Sequence, residues 1–301
     1  MKHLNTFNNT ILYDFMELFH SLPYTFLGME KSKDAFESAK VVLLPVPYDG
    51  TQYPYKGAAN GARAIIEASR HIETFDDELN LELEDLGIYT LDELEISLES
   101  ALETIKRVQE AVEEILDNKK MPIILGGEHS ISLGAVRAIN AKMENVSVLQ
   151  LDAHADLRNE FKGCKYAHTC VMRRINEISH YVGVGIRSMS KEEKEFIEEN
   201  ELDIYGTNFN SNEILEKLKD KVYITIDLDV FDPSIIPSVG NPEPQGLFWI
   251  EILELLKKIA QEKEIIGFDI VELSPNSNKI SDIYAAKLIC KILSFSFFSK
   301  F

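Results

Sequence analysis

The chain has 301 residues, of which 45% are hydrophobic and 27% charged, and its formal net charge at pH 7 is −19. This length and composition suit one large α/β domain or two ordinary ones, with enough apolar residues for a sizeable core. The negative charge argues against nucleic-acid binding and favours small cations as ligands, either metal ions or organic amines.

The cysteine count and the distribution of apolar residues indicate the compartment. The three cysteines form no disulfide framework, so we expect a reducing, cytoplasmic location; they are Cys164, Cys170 and Cys290. No stretch reaches the roughly 20 apolar residues of a membrane helix, and residues 1–24 contain no uninterrupted apolar region of the kind found in signal peptides. We therefore expect a soluble protein without a membrane partner.

The first 38 residues are the hardest part of the chain to interpret. Apolar positions between Ile11 and Phe19 favour a short amphipathic helix that packs on a neighbouring subunit. An N-terminal arm that covers a sheet edge is the more ordinary interpretation, and we adopt it for residues 1–38.

Apolar runs alternate with helical patterns along the rest of the chain. Strands are predicted at residues 41–47, 122–125, 146–151, 181–186, 221–226 and 265–271. Helices are predicted between them and after the last strand. In the first half of the chain, a loop passes into a helix at 57–68, an apolar stripe runs from Leu98 to Ile115, and a helix follows His129. In the second half, Ser190 and Glu193 have the spacing of a capping box, an apolar stripe runs from Trp249 to Ile259, and the last helix is at 281–293. This order predicts a single α/β domain, residues 1–301, in which helices cover both faces of a mainly parallel sheet.

Polar residues follow three of the predicted strands. They are His129, Asp152, His154, Asp156, Asp227 and Asp229. Ligands bind beyond the carboxyl ends of open parallel sheets, and residues two apart in an extended chain point the same way. Taken singly, each of these residues is an ordinary turn or helix-start residue. Four carboxylates in one cleft would repel each other unless cations were present, and mixed imidazole and carboxylate ligands suit manganese, zinc or iron.

Three segments resemble the signature motifs of the ureohydrolases, the superfamily of arginase, agmatinase and formiminoglutamase. They are Gly-Gly-Glu-His-Ser at 126–130, Asp-Ala-His-Ala-Asp at 152–156 and Asp-Leu-Asp-Val-Phe-Asp-Pro at 227–233. The resemblance extends from residues 45–51 to 285–289, most of the chain. It implies a three-layer α/β/α arginase-like fold and a homo-oligomer, a trimer or hexamer.

The resemblance also implies two Mn²⁺ ions per chain. His129, Asp152, Asp156 and Asp227 would hold one ion, and Asp152, His154, Asp227 and Asp229 the other, so that Asp152 and Asp227 bridge them. His168 corresponds to the histidine that shuttles a proton in the family. Glu272 corresponds to the carboxylate that pairs with the guanidinium group of the substrate.

The substrate is expected to be a small cationic guanidino compound. Arginases carry a Ser-Gly-Asn run that reads the amino-acid end of arginine, and residues 157–166 contain no such run. This loop is more similar to that of agmatinases, which predicts hydrolysis of agmatine to urea and putrescine in polyamine biosynthesis. Glu160, beside Asn159, is the candidate for binding the distal ammonium. The alternatives are aminopropylagmatine, arginine, guanidinobutyrate or formiminoglutamate as substrate, and a non-catalytic assembly subunit.

Overall fold

The computed structural model describes residues 22–298. Its strands are β1 Val41–Pro45, β2 Phe75–Asp76, β3 Leu81–Glu82, β4 Ile88–Thr90, β5 Met121–Leu125, β6 Val146–Leu151, β7 His180–Val184, β8 Asp203–Tyr205, β9 Lys221–Asp227 and β10 Glu264–Val271. Its α-helices are α1 Lys33–Ser38, α2 Gly61–Ser69, α3 Ala101–Asp117, α4 Ser132–Lys142, α5 Val171–Asn176, α6 Lys191–Glu199, α7 Ser211–Lys217, α8 Trp249–Glu262 and α9 Ile280–Phe298.

Eight of these strands form one parallel sheet in the order β4-β1-β5-β10-β9-β6-β7-β8. The pair β2 and β3 forms a separate antiparallel hairpin. The central strands are buried on both faces: in β1, Val41 and Leu43 lie in one apolar core, and Val42 and Leu44 lie in the other. This double burial explains why the strands read as continuous apolar runs rather than alternating ones.

Helices cover both faces of the sheet. On one face, α2, α7, α8 and α9 contribute buried residues to the first core, and on the other, α3, α4 and α5 contribute to the second. The predicted three-layer α/β/α fold is therefore confirmed. None of the helices in residues 22–298 is both long and apolar enough to cross a membrane.

Several details differ from the sequence prediction. Leu98 is 93% exposed and precedes α3, because the Ser100 side chain caps the helix by accepting from the backbone N–H of Glu103. In α8, Ile250 is 67% exposed, and the buried stripe is formed instead by Ile252, Leu255, Leu256 and Ile259. Apolar residues occupy more than half of that segment. Its sequence therefore allows more than one apolar face, and the predicted face is rotated from the buried one.

Other predicted features are reproduced or lie outside the described residues. The Ser190–Glu193 capping box is present at the start of α6, and the three cysteines are free thiols. The last helix runs five residues further than predicted, to Phe298. The predicted amphipathic helix between Ile11 and Phe19 lies outside residues 22–298.

Candidate active site and metal centre

The predicted site residues lie at the carboxyl ends of four neighbouring strands. His129 follows β5, Asp152 follows β6, Asp227 is the last residue of β9, and Glu272 follows β10. These strands are adjacent in the sheet, in the order β5-β10-β9-β6. Parallel register therefore brings together residues that are far apart in sequence, at the edge where ligands bind in open parallel sheets.

The segment after β6 reaches the site by turning, not by continuing as an extended strand. The backbone N–H of His154 donates to Asp152 Oδ1 (2.6 Å), and that of Ala153 donates to Asp229 Oδ1 (2.9 Å). Asp156 has a left-handed backbone with φ 51°. The expectation of an extended segment at 152–156 was wrong, although its polar side chains do converge.

One group of ligand atoms surrounds His129. Its Nδ1 lies 3.1 Å from Asp152 Oδ2, 3.2 Å from Asp156 Oδ2 and 3.6 Å from Asp227 Oδ2. His129, Asp152 and Asp227 each offer an atom within 4.8 Å of the others, a spacing that a single metal ion can bridge. All three residues are buried.

A second group surrounds His154 and shares Asp152 with the first. His154 Nδ1 lies 2.7 Å from Asp229 Oδ2 and 3.8 Å from Asp152 Oδ1. Asp152, His154 and Asp229 again place their ligand atoms within 4.8 Å of one another. Since Asp152 directs one oxygen to each histidine, it lies between the two groups.

The electrostatics of the cluster reflect four carboxyl groups in a buried space. Burial, and then the charge of Asp229, raises the pKa of Asp152 to about 7. The same two causes raise the pKa of Asp227 well above its ordinary value. Burial alone would lower the pKa of His154, but Asp229 outweighs it and raises that pKa to about 10. Without metal ions, protons therefore bind to this cluster and reduce its negative charge, which is the effect that metal ions would have.

The environment of His129 tests whether the cluster fits metal ions. Its Nδ1 is buried and has no hydrogen-bond partner among the described residues. Its Nε2 lies 2.9 Å from the Thr225 hydroxyl, which donates to Asp269 Oδ1 (2.7 Å), so Nε2–H is the donor. Nδ1 therefore faces carboxylate oxygens and needs either a proton or a metal ion between it and them. A buried histidine held by an outer hydrogen bond in this way is typical of a metal ligand.

Glu272 is held in place from two sides. Its carboxylate accepts hydrogen bonds from the backbone N–H of His129 (2.7 Å) and from Gln52 Nε2. Burial, followed by the charge of Glu128, raises its pKa to about 8. It lines the same cleft as His154, Asp156, Asp227 and Asp229.

His168 lies on the wall of this cleft, in a short 3₁₀ turn at His168–Cys170. Burial lowers the pKa of its imidazole. Its backbone N–H donates to Thr51 Oγ1 (3.0 Å), and its Nδ1 lies 3.2 Å from the same oxygen. Thr51 in turn donates to Glu128 Oε1 (2.5 Å).

Three of these residues, Thr51, Gln52 and Glu128, were missed by the sequence analysis. Thr51 and Gln52 follow a Pro-Tyr-Asp-Gly run that indicates only a turn. Glu128 offered a signal, since a charged residue inside the apolar-flanked Gly-Gly-Glu-His-Ser segment requires buried partners. Gly127 permits this approach: a Cβ there would lie 2.0 Å from the carbonyl oxygen of Tyr48.

The cleft has a volume of about 350 Å³ and a lining of mixed polarity. Tyr53, Pro54, Phe161 and Met189 contribute apolar surface to it. The residues that line the cleft do not include Asn159 or Glu160. Both are exposed, and Asn159 Oδ1 accepts a hydrogen bond from Arg174 (3.0 Å).

Comparisons with known proteins agree with this arrangement. Residues 39–294 match the family model described as Arginase family. An N(1)-aminopropylagmatine ureohydrolase from Synechocystis sp. is 35% identical over 292 residues, 92% of this chain and 95% of that protein. An agmatinase from Pyrococcus horikoshii is 32% identical over 285 residues, 91% and 98% of the two chains. The crystal structure of an agmatine ureohydrolase from Thermoplasma volcanium has a TM-score of 0.81 at 30% identity and covers 94% of this chain and 97% of that one.

The fold, the clustered histidine and aspartate side chains, and these similarities define the class of the protein, a hydrolase of the ureohydrolase type. The chain belongs to the Arginase family. The resemblance predicted from the three motifs is therefore confirmed.

Proposed function

We propose that the protein is a manganese-dependent ureohydrolase that cleaves the guanidinium group of an agmatine-type polyamine precursor. The observation that carries this proposal is the pair of His/Asp groups that share Asp152 beside a cleft lined by Glu272 and His168. Metal ligands, a carboxylate suited to a guanidinium and an imidazole then share one site.

Two Mn²⁺ ions fit the donor set. His129, Asp152, Asp156 and Asp227 would hold one ion, and Asp152, His154, Asp227 and Asp229 the other. Such ions would polarise water and supply a nucleophile near neutral pH. The Nδ1 of His129 supports this assignment, since it is buried and faces the oxygens of three of these aspartates.

Glu272 and His168 would perform the remaining chemistry. A carboxylate pairs with the planar N–H fork of a guanidinium through two hydrogen bonds, and Glu272 is held with its side chain in the cleft. Water attacks the guanidinium carbon, and the C–N bond to the polyamine chain then breaks. The departing amine needs a proton, which the imidazole of His168 is suited to deliver.

Two observations bear on the choice of polyamine substrate. The apolar side chains that line the cleft, among them Pro54 and Met189, suit a methylene chain. Relatives named N(1)-aminopropylagmatine ureohydrolase are 35–37% identical to this chain, and those named agmatinase 30–32%. We therefore place aminopropylagmatine first, with urea and spermidine as products, and agmatine, the substrate predicted from the sequence, second.

The remaining expectations belong to the same proposal. We propose a cytoplasmic enzyme of polyamine biosynthesis, supported by the free thiols of its three cysteines. A homo-oligomer, either a trimer or a hexamer, follows from the resemblance. Glu160 stays a candidate for binding the distal ammonium, although it is exposed and outside the cleft lining in residues 22–298.

Product release from five substrates tests the proposal: urea is measured for the four guanidino compounds, and formamide for formiminoglutamate. Protein purified with MnCl₂ would be assayed with aminopropylagmatine, agmatine, arginine, guanidinobutyrate and formiminoglutamate, alongside metal analysis. We expect about two manganese ions per chain, in line with two-metal hydrolases, and the highest kcat/KM for aminopropylagmatine. A preference for arginine would refute the proposed polyamine-type substrate. Full manganese content without turnover of any substrate would refute the proposed hydrolysis. Asp227→Asn supplies the inactive control.

A further inference from the structure

The loop after β1 contacts both the buried carboxylate of Glu128 and the imidazole of His168. Glu128 is fully buried, and its Oε2 accepts hydrogen bonds from the backbone N–H groups of Thr51 (2.7 Å) and Gln52 (3.0 Å). Its Oε1 accepts from the hydroxyls of Ser130 (2.6 Å) and Thr51 (2.5 Å). This carboxylate therefore fixes both the backbone of the loop and the orientation of the Thr51 side chain.

The Thr51 hydroxyl has one hydrogen and two lone pairs to distribute. Its hydrogen is directed to Glu128 Oε1, and one lone pair accepts the backbone N–H of His168. The remaining lone pair faces His168 Nδ1 at 3.2 Å. A lone pair needs a donor, so the hydrogen of the neutral imidazole lies on Nδ1, and Nε2 is left as the basic nitrogen.

We propose that Thr51 is a positioning residue for His168, which holds the imidazole ring by its Nδ1 and leaves Nε2 free to exchange a proton in the cleft. This inference rests on the proposed function, in which His168 protonates the departing amine. Thr51 would thereby select the tautomer of His168, since the hydrogen bond made by one ring nitrogen decides which of the two is basic.

The hydroxyl of Thr51 can be removed while the loop keeps its backbone anchors. The two N–H groups bound to Glu128 Oε2 do not involve the side chain, and the backbone N–H of Glu128 donates to the carbonyl of Tyr48 (2.7 Å). Valine has nearly the shape of threonine but no hydroxyl, whereas serine keeps the hydroxyl and loses a methyl group. The two substitutions therefore separate hydrogen bonding from packing.

A double-mutant cycle tests whether Thr51 acts through His168. Manganese-loaded wild type, Thr51→Val, Thr51→Ser, His168→Ala and the double variant Thr51→Val/His168→Ala would be compared. We expect Thr51→Val to lower kcat about 10- to 100-fold, part of the ~10²- to 10⁴-fold that positioned acid–base groups contribute. KM and manganese content should stay near wild type, Thr51→Ser should regain most of the lost activity, and Thr51→Val should have no further effect when His168 is absent.

Equal losses from Thr51→Val in both backgrounds would overturn the proposal, as would a serine variant no better than the valine variant. A second readout does not depend on turnover: ¹⁵N spectra of histidine-labelled, EDTA-treated protein, with the His168 signals identified from their loss in His168→Ala. We expect a protonated Nδ1 in wild type and a mixture of tautomers in Thr51→Val. A protonated Nε2 in wild type refutes the positioning role, whereas an inactive wild type with the expected spectrum refutes only the proposed reaction.

Discussion

Removal of metal ions should make the stability of the protein fall as the pH rises from 4 to 7. Asp152 is fully buried, and burial followed by the charge of Asp229 raises its pKa from 3.8 to about 7. Between these values the folded state keeps a proton that the unfolded state has released, so a higher pH favours unfolding. Asp227 acts in the same direction because its pKa is also raised.

The size of this effect follows from the shift. One pKa unit corresponds to about 1.4 kcal/mol, so the shift at Asp152 corresponds to about 4 kcal/mol between pH 4 and 7. Burial would raise the pKa of Asp229, but His154 lowers it, so its contribution is lost below pH 4. Burial would lower the pKa of His129, but Asp152 raises it well above 6.5, so its contribution is complete below pH 6.5 and declines only above it.

Urea denaturation of EDTA-treated protein at pH 5 and pH 7 measures the effect. We expect the free energy of unfolding to be lower at pH 7 by at least the roughly 2–3 kcal/mol that Asp152 alone contributes. Mn²⁺ at about 100 times its dissociation constant should add about 2.7 kcal/mol per site, because cations then replace the protons.

Two variants complete this experiment. Asp152→Asn should reduce the pH dependence, leaving the part contributed by Asp227 and Glu272, and should lose the stabilisation by Mn²⁺. Asp77→Asn, at an exposed position outside the cluster, should retain both. Metal-free stability that is equal at pH 5 and pH 7 would refute the reasoning, as would Mn²⁺ stabilisation that survives in Asp152→Asn.

Four further substitutions test separate parts of the structure. Asp227→Ala should abolish urea release and lower manganese content, as metal analysis would detect; normal metal content would remove Asp227 from the ligand set. His168→Ala should keep its manganese while kcat falls about 10²- to 10⁴-fold, and loss of both ions would show a different role. Glu160→Gln should raise KM for aminopropylagmatine or agmatine at constant kcat, because it removes the charge proposed to bind the distal ammonium. An unchanged KM would exclude Glu160 from ammonium binding. Ser190→Ala removes the capping box of α6 and should cost about 1 kcal/mol in denaturation experiments, with unchanged stability contradicting the cap.

The sequence was most informative where burial on both faces of the sheet is complete. The strands β1, β5, β6, β9 and β10 were all predicted, because each is an apolar run that ends at a polar or turn residue. The short strands β4 and β8 were missed, since they have three residues each and lie at the two edges of the sheet. Strands of that length carry too little pattern to be distinguished from loops.

The candidate ligands could be proposed from the sequence because each follows a strong strand signal in a short motif. The residues that orient the site could not, because they act across long separations. The contact between Gln52 and Glu272 joins residues 220 positions apart, and that between Thr51 and His168 joins residues 117 apart. The first depends on the neighbouring positions of β1, β5 and β10 in the sheet. The second joins the loop after β1 to the loop after β6, two strands that are not adjacent. No local pattern reveals either contact.

Backbone strain explains why the direction of two site carboxylates was also beyond local prediction. Asp156 and Glu272 have positive φ values of 51° and 65°, a left-handed conformation that costs a non-glycine residue about 1–2 kcal/mol. Tertiary hydrogen bonds hold both in place: the Asp156 carbonyl accepts the backbone N–H of Met172 (3.0 Å), and the Glu272 N–H donates to the Gly127 carbonyl (2.9 Å). The left-handed turn brings each carboxylate to the cleft, one residue after β10 for Glu272 and five residues after β6 for Asp156. The candidate metal centre thus depends on the loops that follow the strands as much as on its ligands, and glycine at either position would relieve the strain only by removing the functional group.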